Sequence, residues 1–408
     1  MIERRRQPPA AFAALLALTL ASPAAAQLTE AGTPTRPPGW SVTPSIGLSQ
    51  MWDDNPTLAV EGDVRPADFV TAVRPTLLLG YRGRRTTLRG DYAGSFDYYR
   101  DLSEQNTVDH RAGLDFTHQV TRRVQLFARD NAMLSPTTGD VPEAGATILR
   151  RQETRMNAFR GGAEATLSKH TTLNLTYATQ WIDFAEDVDG QIALRPDANL
   201  LRGGHSHGGT GELRHRLSER VAFGADYEIQ RAIVAGGAET FDVQSALAVT
   251  EFALSPTVSA KLSYGHAWLT AGRNGFSDNG PAFDVGLDWQ GRRAGATLRY
   301  GRAFLPSFGF GGTFQNEELR GTLRTSLSRW LQWSGGVAVS DNDPLEPGDP
   351  TLRAVSAQTS LGWIVGRRLR LELFGVHVSQ DSGLAGGRVL RTRAGVQATV
   401  SQTVRASR

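Results

Sequence analysis

The chain contains no cysteine in 408 residues. That absence excludes disulfide staples, cysteine nucleophiles, thiolate metal sites and a lipid-modified cysteine anchor together. Lysine is nearly missing as well, occurring only at Lys169 and Lys261, so arginine carries the basic charge. Long apolar runs are lacking: mean hydropathy is −0.31, and no stretch reaches the ~18 apolar residues of a membrane-spanning helix. Charge of one sign is lacking too. The formal balance is +3, with Arg4, Arg5 and Arg6 together at the start. The remaining arginines are scattered and do not gather on one face, so nothing marks a nucleic-acid binder.

What the chain does have is alternation. Thr86, Leu88, Gly90, Tyr92, Gly94, Phe96 and Tyr98 share one parity, while Thr87, Arg89, Asp91, Ala93, Ser95 and Asp97 take the other. Successive side chains of a strand point to opposite faces, so such a strand is greasy on one side and charged on the other. A soluble sheet would cover the greasy side with a helix or a second sheet, and no segment here reads as that helix. Lipid is the remaining cover, and strands of ~10–14 residues with this period are the signature of a transmembrane β-barrel. A soluble β-helix or an array of sandwiches is the alternative, but solenoids repeat at ~20–30 residues. The unit here is a hairpin of about twice that length.

The N-terminal region reads as an export signal over residues 1–26. Arg4–Arg6 are followed by an apolar run from Ala10 to Leu20 and a small-residue site at Ser22-Pro23-Ala24-Ala25-Ala26, the pattern of a cleaved secretory peptide. Residues 27–39 form a proline-rich leader expected to be flexible and periplasmic. The barrel is expected over 40–400 and a C-terminal tail over 401–408.

Within the barrel, short breaks alternate with long ones. The short ones are Arg82–Arg85, Thr121–Arg123, Ser168–His170, Ser218–Arg220, Ser255–Thr257, Gly291–Arg293, Ser328–Trp330 and Gly366–Arg368. Longer breaks rich in Gly, Asp and Pro lie between them, at Asp53–Pro66, Pro136–Arg151, Glu186–Asn199, Asn274–Gly280 and Ser340–Pro350. Outer-membrane barrels have short periplasmic turns and long extracellular loops. Closing these hairpins and adding a strand at each end gives an all-β, antiparallel up-and-down barrel of about 18 strands with both termini periplasmic. The Gly- and His-rich segment Arg202–Leu217 could instead be a lumenal loop, which would leave about 16 strands.

On this parity the lumen is lined by Arg89, Asp91, Asp97, Arg111, Asp115, Arg129, Asp226, Glu228, Asp284, Asp288, Arg299, Arg320, Arg324, Arg391 and Arg393. Rows of opposite charge can set a transverse field on passing solutes, or simply cross-pair to hold the wall together. Barrels of this size enclose water, because side chains alone cannot fill them. The last strand is expected at Val389–Val400, with Val396 facing lipid and Gln397 the channel. His205 and His207 form a thin metal site without an acid or thiolate beside them. Ser206 and His207 point to opposite faces of a strand, out of hydrogen-bond reach of each other. No enzymatic activity, cofactor or resident metal is therefore expected. Asp53-Asp54-Asn55-Pro56 and Asp341-Asn342-Asp343-Pro344 follow outward-running strands. They read as side-chain turns, with surface Ca²⁺ binding the alternative.

The opening segment WSVTPSIGLSQMWDDNPTL, residues 40–58, resembles the start of a family of bacterial β-barrel porins. Several members of that family are associated with exopolysaccharide biosynthesis and export. Pro44, Ile46, Leu48, Asp54 and Asn55 carry the likeness, and Leu305–Leu319 has a similar character. The chain departs from outer-membrane barrels in ending on Arg408 and not on an aromatic residue. The resemblance implies an outer-membrane channel for exopolysaccharide export or small-solute passage. The barrel's partners would be outer-membrane lipid, the assembly machinery and a polysaccharide or small solute. The rival reading is a plugged structural or surface-display barrel acting as a receptor or adhesin.

Overall fold

A computed structural model describes residues 39–136, 152–185, 203–234, 239–271, 276–306, 313–345, 351–381 and 387–407. The expected signal and most of the leader lie outside these residues, as do most of the break 136–151 and all of 186–199. The described chain is one antiparallel sheet that closes on itself. Its strands are β1 Gly39–Asp53, β2 Asp68–Arg82, β3 Thr86–Tyr99, β4 Thr107–Gln119, β5 Val124–Ser135, β6 Thr154–Thr166 and β7 Thr171–Phe184. There follow β8 Gly204–Arg216, β9 Val221–Val234, β10 Glu239–Ser255, β11 Val258–Ala271, β12 Ser277–Gln290 and β13 Ala294–Pro306. The remainder are β14 Thr313–Ser326, β15 Leu331–Pro344, β16 Leu352–Val365, β17 Leu369–Asp381, β18 Arg388–Ser401 and β19 Val404–Ser407.

From β1 to β18 each strand pairs with its sequence neighbour, and β18 returns to β1 in register from Ser45↔Ser401 to Asp53↔Arg393. β19 continues β18 along the same partner, from Gly39↔Ser407 to Val42↔Val404. The wall is thus a closed 18-strand barrel. The 18-strand expectation holds over its 16-strand alternative, and one boundary changes. Arg202–Leu217 is not a lumenal loop: Gly204–Arg216 pairs with β7 along one edge and with β9 along the other, and those two ladders offset the weak strand preference of its glycines. Part of the expected tail also continues the wall as β19.

All eight expected short turns fall at one end. Their chemistry repeats. The Ser328 hydroxyl accepts the backbone N–H groups of Trp330 and Leu331 at 3.1 and 3.0 Å. Ser218 does the same for Arg220 and Val221, and Thr121 for Arg123 and Val124. A hydroxyl at the first turn position satisfies donors that the tight bend orphans. β1 starts and β19 ends at this same end, since Gly39 pairs with both Arg82 and Ser407.

The two faces differ as alternation demands. One face presents Ile46, Leu48, Leu175, Tyr264, Trp363 and Val396, all at least half exposed. Aromatics gather near the turn end of that face (Trp40, Tyr81, Phe223, Trp289) and again near the loop end (Trp52, Phe69, Trp181, Trp268). Contacts that skip strands identify the other face as the concave one. Arg74 on β2 donates to Gln397 on β18 at 2.6 Å and lies over the Phe374 ring of β17. Arg214 on β8 reaches Glu251 on β10 at 3.2 Å. Side chains converge inside a closed sheet and diverge outside it, so the charged face lines the interior and the apolar face is the outer wall.

Candidate functional site: the barrel interior

The register carries every charged position anticipated for the lumen onto the concave face. Most are paired there. Arg129 meets Asp115 at 2.6 Å, Arg299 meets Asp288 at 3.1 Å and Arg111 meets Asp109 at 3.1 Å. Arg320 meets Glu318 at 2.6 Å and Asp284 lies 3.9 Å from Lys261. Asp226 binds Arg214, whose other side contacts Glu251. These are neighbours across or along strands, so cross-pairing organises much of the lining. Arg89 and Arg324 are exposed on this face and make no ion pair among the described residues.

Several interior charges were not anticipated. Arg74, Arg214, Glu251 and Lys261 all follow from the same parity rule. Arg160 completes a concave row with Arg89, Asp115 and Arg129. The alternation of β6 around Phe159 held the signal for it.

Arg391 stands apart, because it lines nothing open. Its guanidinium is buried against Asp53, with Nη2 at 2.6 Å and Nε at 3.1 Å from the carboxylate, and Tyr99 Oη sits 3.5 Å away. Asn55, also fully buried, organises the segment that follows β1. Its Nδ2 donates to the carbonyls of Ala59 and Leu390 at 2.8 Å, and its Oδ1 accepts the Ala59 N–H at 2.9 Å. The Asp53–Asn55 motif therefore ties the first hairpin to β18 and works as a structural fastening. The similar Asp341-Asn342-Asp343 segment has the opposite phase. Asn342 is buried and bonded to Asn316 and the Leu352 carbonyl, while Asp341 pairs with Arg353 on the outer wall.

At the loop end the interior turns apolar on one side. Met133, Met156, Ile182, Phe184, Val234, Phe241, Leu269 and Phe304 form a buried cluster on β5–β13, with Phe276 and Leu345 packed against it. The lining is thus polar along the wall and greasy near one side of the mouth. The histidines expected as a weak metal pair, His205 and His207, lie on the outer wall. Ser206 faces inward, where Gln230 donates to it at 3.3 Å. Although Gly204-His205-Ser206-His207-Gly208 spells G-x-S-x-G, it runs along a flat strand with serine and histidine on opposite faces. It therefore forms no nucleophile–base pair.

The geometry defines a closed, charge-lined 18-strand barrel. No protein-family model matches the chain, and no curated protein does. Similar solved structures include OccAB4 of Acinetobacter baumannii, at 8% identity and a TM-score of 0.45, covering 91% of this chain and 100% of that one. OccK3 (OpdO) of Pseudomonas aeruginosa is 12% identical with a TM-score of 0.45, covering 90% and 96%. OccAB2 of A. baumannii is 11% identical with a TM-score of 0.46, covering 89% and 98%. At such identities nothing about solute or gating passes from them to this chain.

Proposed function

We propose that the chain is an outer-membrane channel of a Gram-negative bacterium that passes small hydrophilic solutes and performs no catalysis. The observation that carries this is the opposition of the two faces: apolar outside between two aromatic bands, charged inside. An outer wall of that kind is matched to a bilayer. A barrel of about 18 strands leaves an aqueous interior that side chains cannot close. With the tight turns and both strand ends on one side, the termini are periplasmic and the long loops face outward. The link to exopolysaccharide export rests on the likeness of residues 40–58 alone, and the comparisons lend it no support.

The apolar cluster at one side of the mouth favours a second reading, a barrel occluded at its loop end that serves as a receptor. One experiment separates the two. Refolded protein in planar bilayers should give stepwise conductance, and vesicles carrying it should become permeable to small sugars. A folded, inserted barrel that does neither supports the occluded reading and refutes the channel.

A further inference from the structure

The wall is not zipped evenly. β12 and β13 pair only from Gln290↔Gly295 up to Phe283↔Arg302. Above that point, among the described residues, Ser277–Ala282 pair with β11 alone and Ala303–Pro306 with β14 alone. The other neighbouring pairs among the described residues run to the loop end or close to it. Phe304 shows what happens at the split. By parity it belongs with Leu298 and Tyr300 on the outer wall, yet it is buried in the interior cluster. A side chain built on Gly280, which shares the concave parity of Ala282, would meet the Phe304 ring and the Arg302 guanidinium, each at 3.8 Å. The upper β13–β14 hairpin has therefore slipped behind β12, and its outer face packs on the inner face of the neighbour. Two residues suit this arrangement. Gly280 leaves room for the ring, and Pro281 has no N–H to orphan at a free strand edge.

The split lies within the membrane. Phe283 is seven residues above Gln290, which places it about 18 Å up a tilted wall whose apolar band is ~25 Å tall. Asn279 pairs with Trp268 of the loop-end aromatic band, so the gap opens at and below that band, toward the outer leaflet. On its inner side it meets the apolar cluster through Ala282 and Leu269. Apolar side chains thus run from the interior cluster to the bilayer-facing edge at a place where, among the described residues, neighbouring strands do not pair.

We propose that this seam is a lateral exit through which a single-chain amphiphile passes between the lumen and the outer leaflet, with Phe304 as its stopper. The alkyl chain follows Leu269, Ala282 and the gap. The head group stays beside Arg302 and Glu317, which face each other at 3.7 Å on the same face of the β13–β14 hairpin as Phe304. A sugar or an amino acid would gain nothing from this route. The inference rests on the membrane placement proposed above.

The test uses vesicles of phosphatidylcholine bearing a photoactivatable diazirine on the acyl chain, a probe that cannot arrive through water. Adduct sites are mapped by mass spectrometry in the parent protein, F304A and F304L. Adducts on the outer-wall residues Leu262 and Val285 are expected in all three. Adducts on the inner-face residues Leu269 and Ala282 should be sparse in the parent and rise severalfold in F304A, with F304L between. Added dodecanoate should suppress the inner adducts, and sucrose should not. Potassium chloride conductance and the heat-dependent gel shift of folded barrels are recorded on the same samples. If conductance persists and no variant carries inner adducts, the exit is refuted while the channel reading stands. Equal inner labelling with and without Phe304 refutes the stopper. Dodecanoate and sucrose acting alike refute the choice of ligand. If conductance is absent from folded protein, the channel reading fails, and inner adducts still decide the seam.

Discussion

Removing the carboxylate of Asp53 should damage this barrel more than removing any solvent-exposed charge. Asp53 and Arg391 have side chains 0% and 6% exposed. Three hydrogen bonds of 2.6–3.1 Å join them, and the Tyr99 hydroxyl lies 3.5 Å from Arg391. In D53A the guanidinium would stay buried and lose the carboxylate that takes three of its hydrogen bonds, and breaking a buried pair in this way costs about 3–5 kcal/mol. The exposed Arg129–Asp115 pair, broken in the same way, should cost about 0–1 kcal/mol. Urea titration of folding into lipid vesicles, followed by tryptophan emission, measures both. The double variant D53A/R391M removes the stranded charge and should recover much of the loss. Two results would refute the reasoning: D53A within about 1 kcal/mol of the parent, or a double variant as damaged as the sum of the singles.

Other consequences are as direct. V396R places a charge on the outer wall and should cost roughly 2–4 kcal/mol if the site lies at mid-bilayer. Q397E, one residue on and facing inward beside Arg74, should fold normally; the opposite ranking would mean that the strand register is inverted. N55A leaves the Ala59 and Leu390 carbonyls and the Ala59 N–H unsatisfied and should cost about 1–3 kcal/mol by the same titration. Neutralising two lumenal arginines that make no ion pair among the described residues, as R89Q/R324Q, should shift reversal potentials toward cation preference under a salt gradient. Unchanged selectivity would mean that these charges do not face the conducting path.

How far the sequence spoke for the fold depends on which force set each feature. Strands and turns were legible because alternation and a Ser/Thr or Gly at each bend are local signals: Leu88, Tyr92 and Phe96 announce a face, and Ser218 and Ser328 announce turns. β8 was harder. His205, His207, Gly209 and Gly211 occupy the outer-wall parity and carry little apolar signal, so only pairing with β7 and β9 makes this segment a strand. Parity also placed Arg391 on the concave face but could not show that it is buried. Its partner lies 338 positions away, in a motif that read as a loop opening. Phe304 was illegible for a different reason. Its position depends on β13 separating from β12, and no periodicity records where two strands part.

The seam between β1 and β18 has a kinetic meaning. It joins the first strand of the chain to the last, so no contact in it can form until the final strand has been made and delivered. Loop closure over such a separation is the slowest entropic step available to the molecule. Until it happens, β1 and β18 each expose an unpaired edge, which invites pairing with another chain. Asp53, Asn55 and Arg391 sit at that junction, where they act as a latch on the assembled state. A chain stopped before Arg388 would present complete hairpins and still be unable to become a barrel.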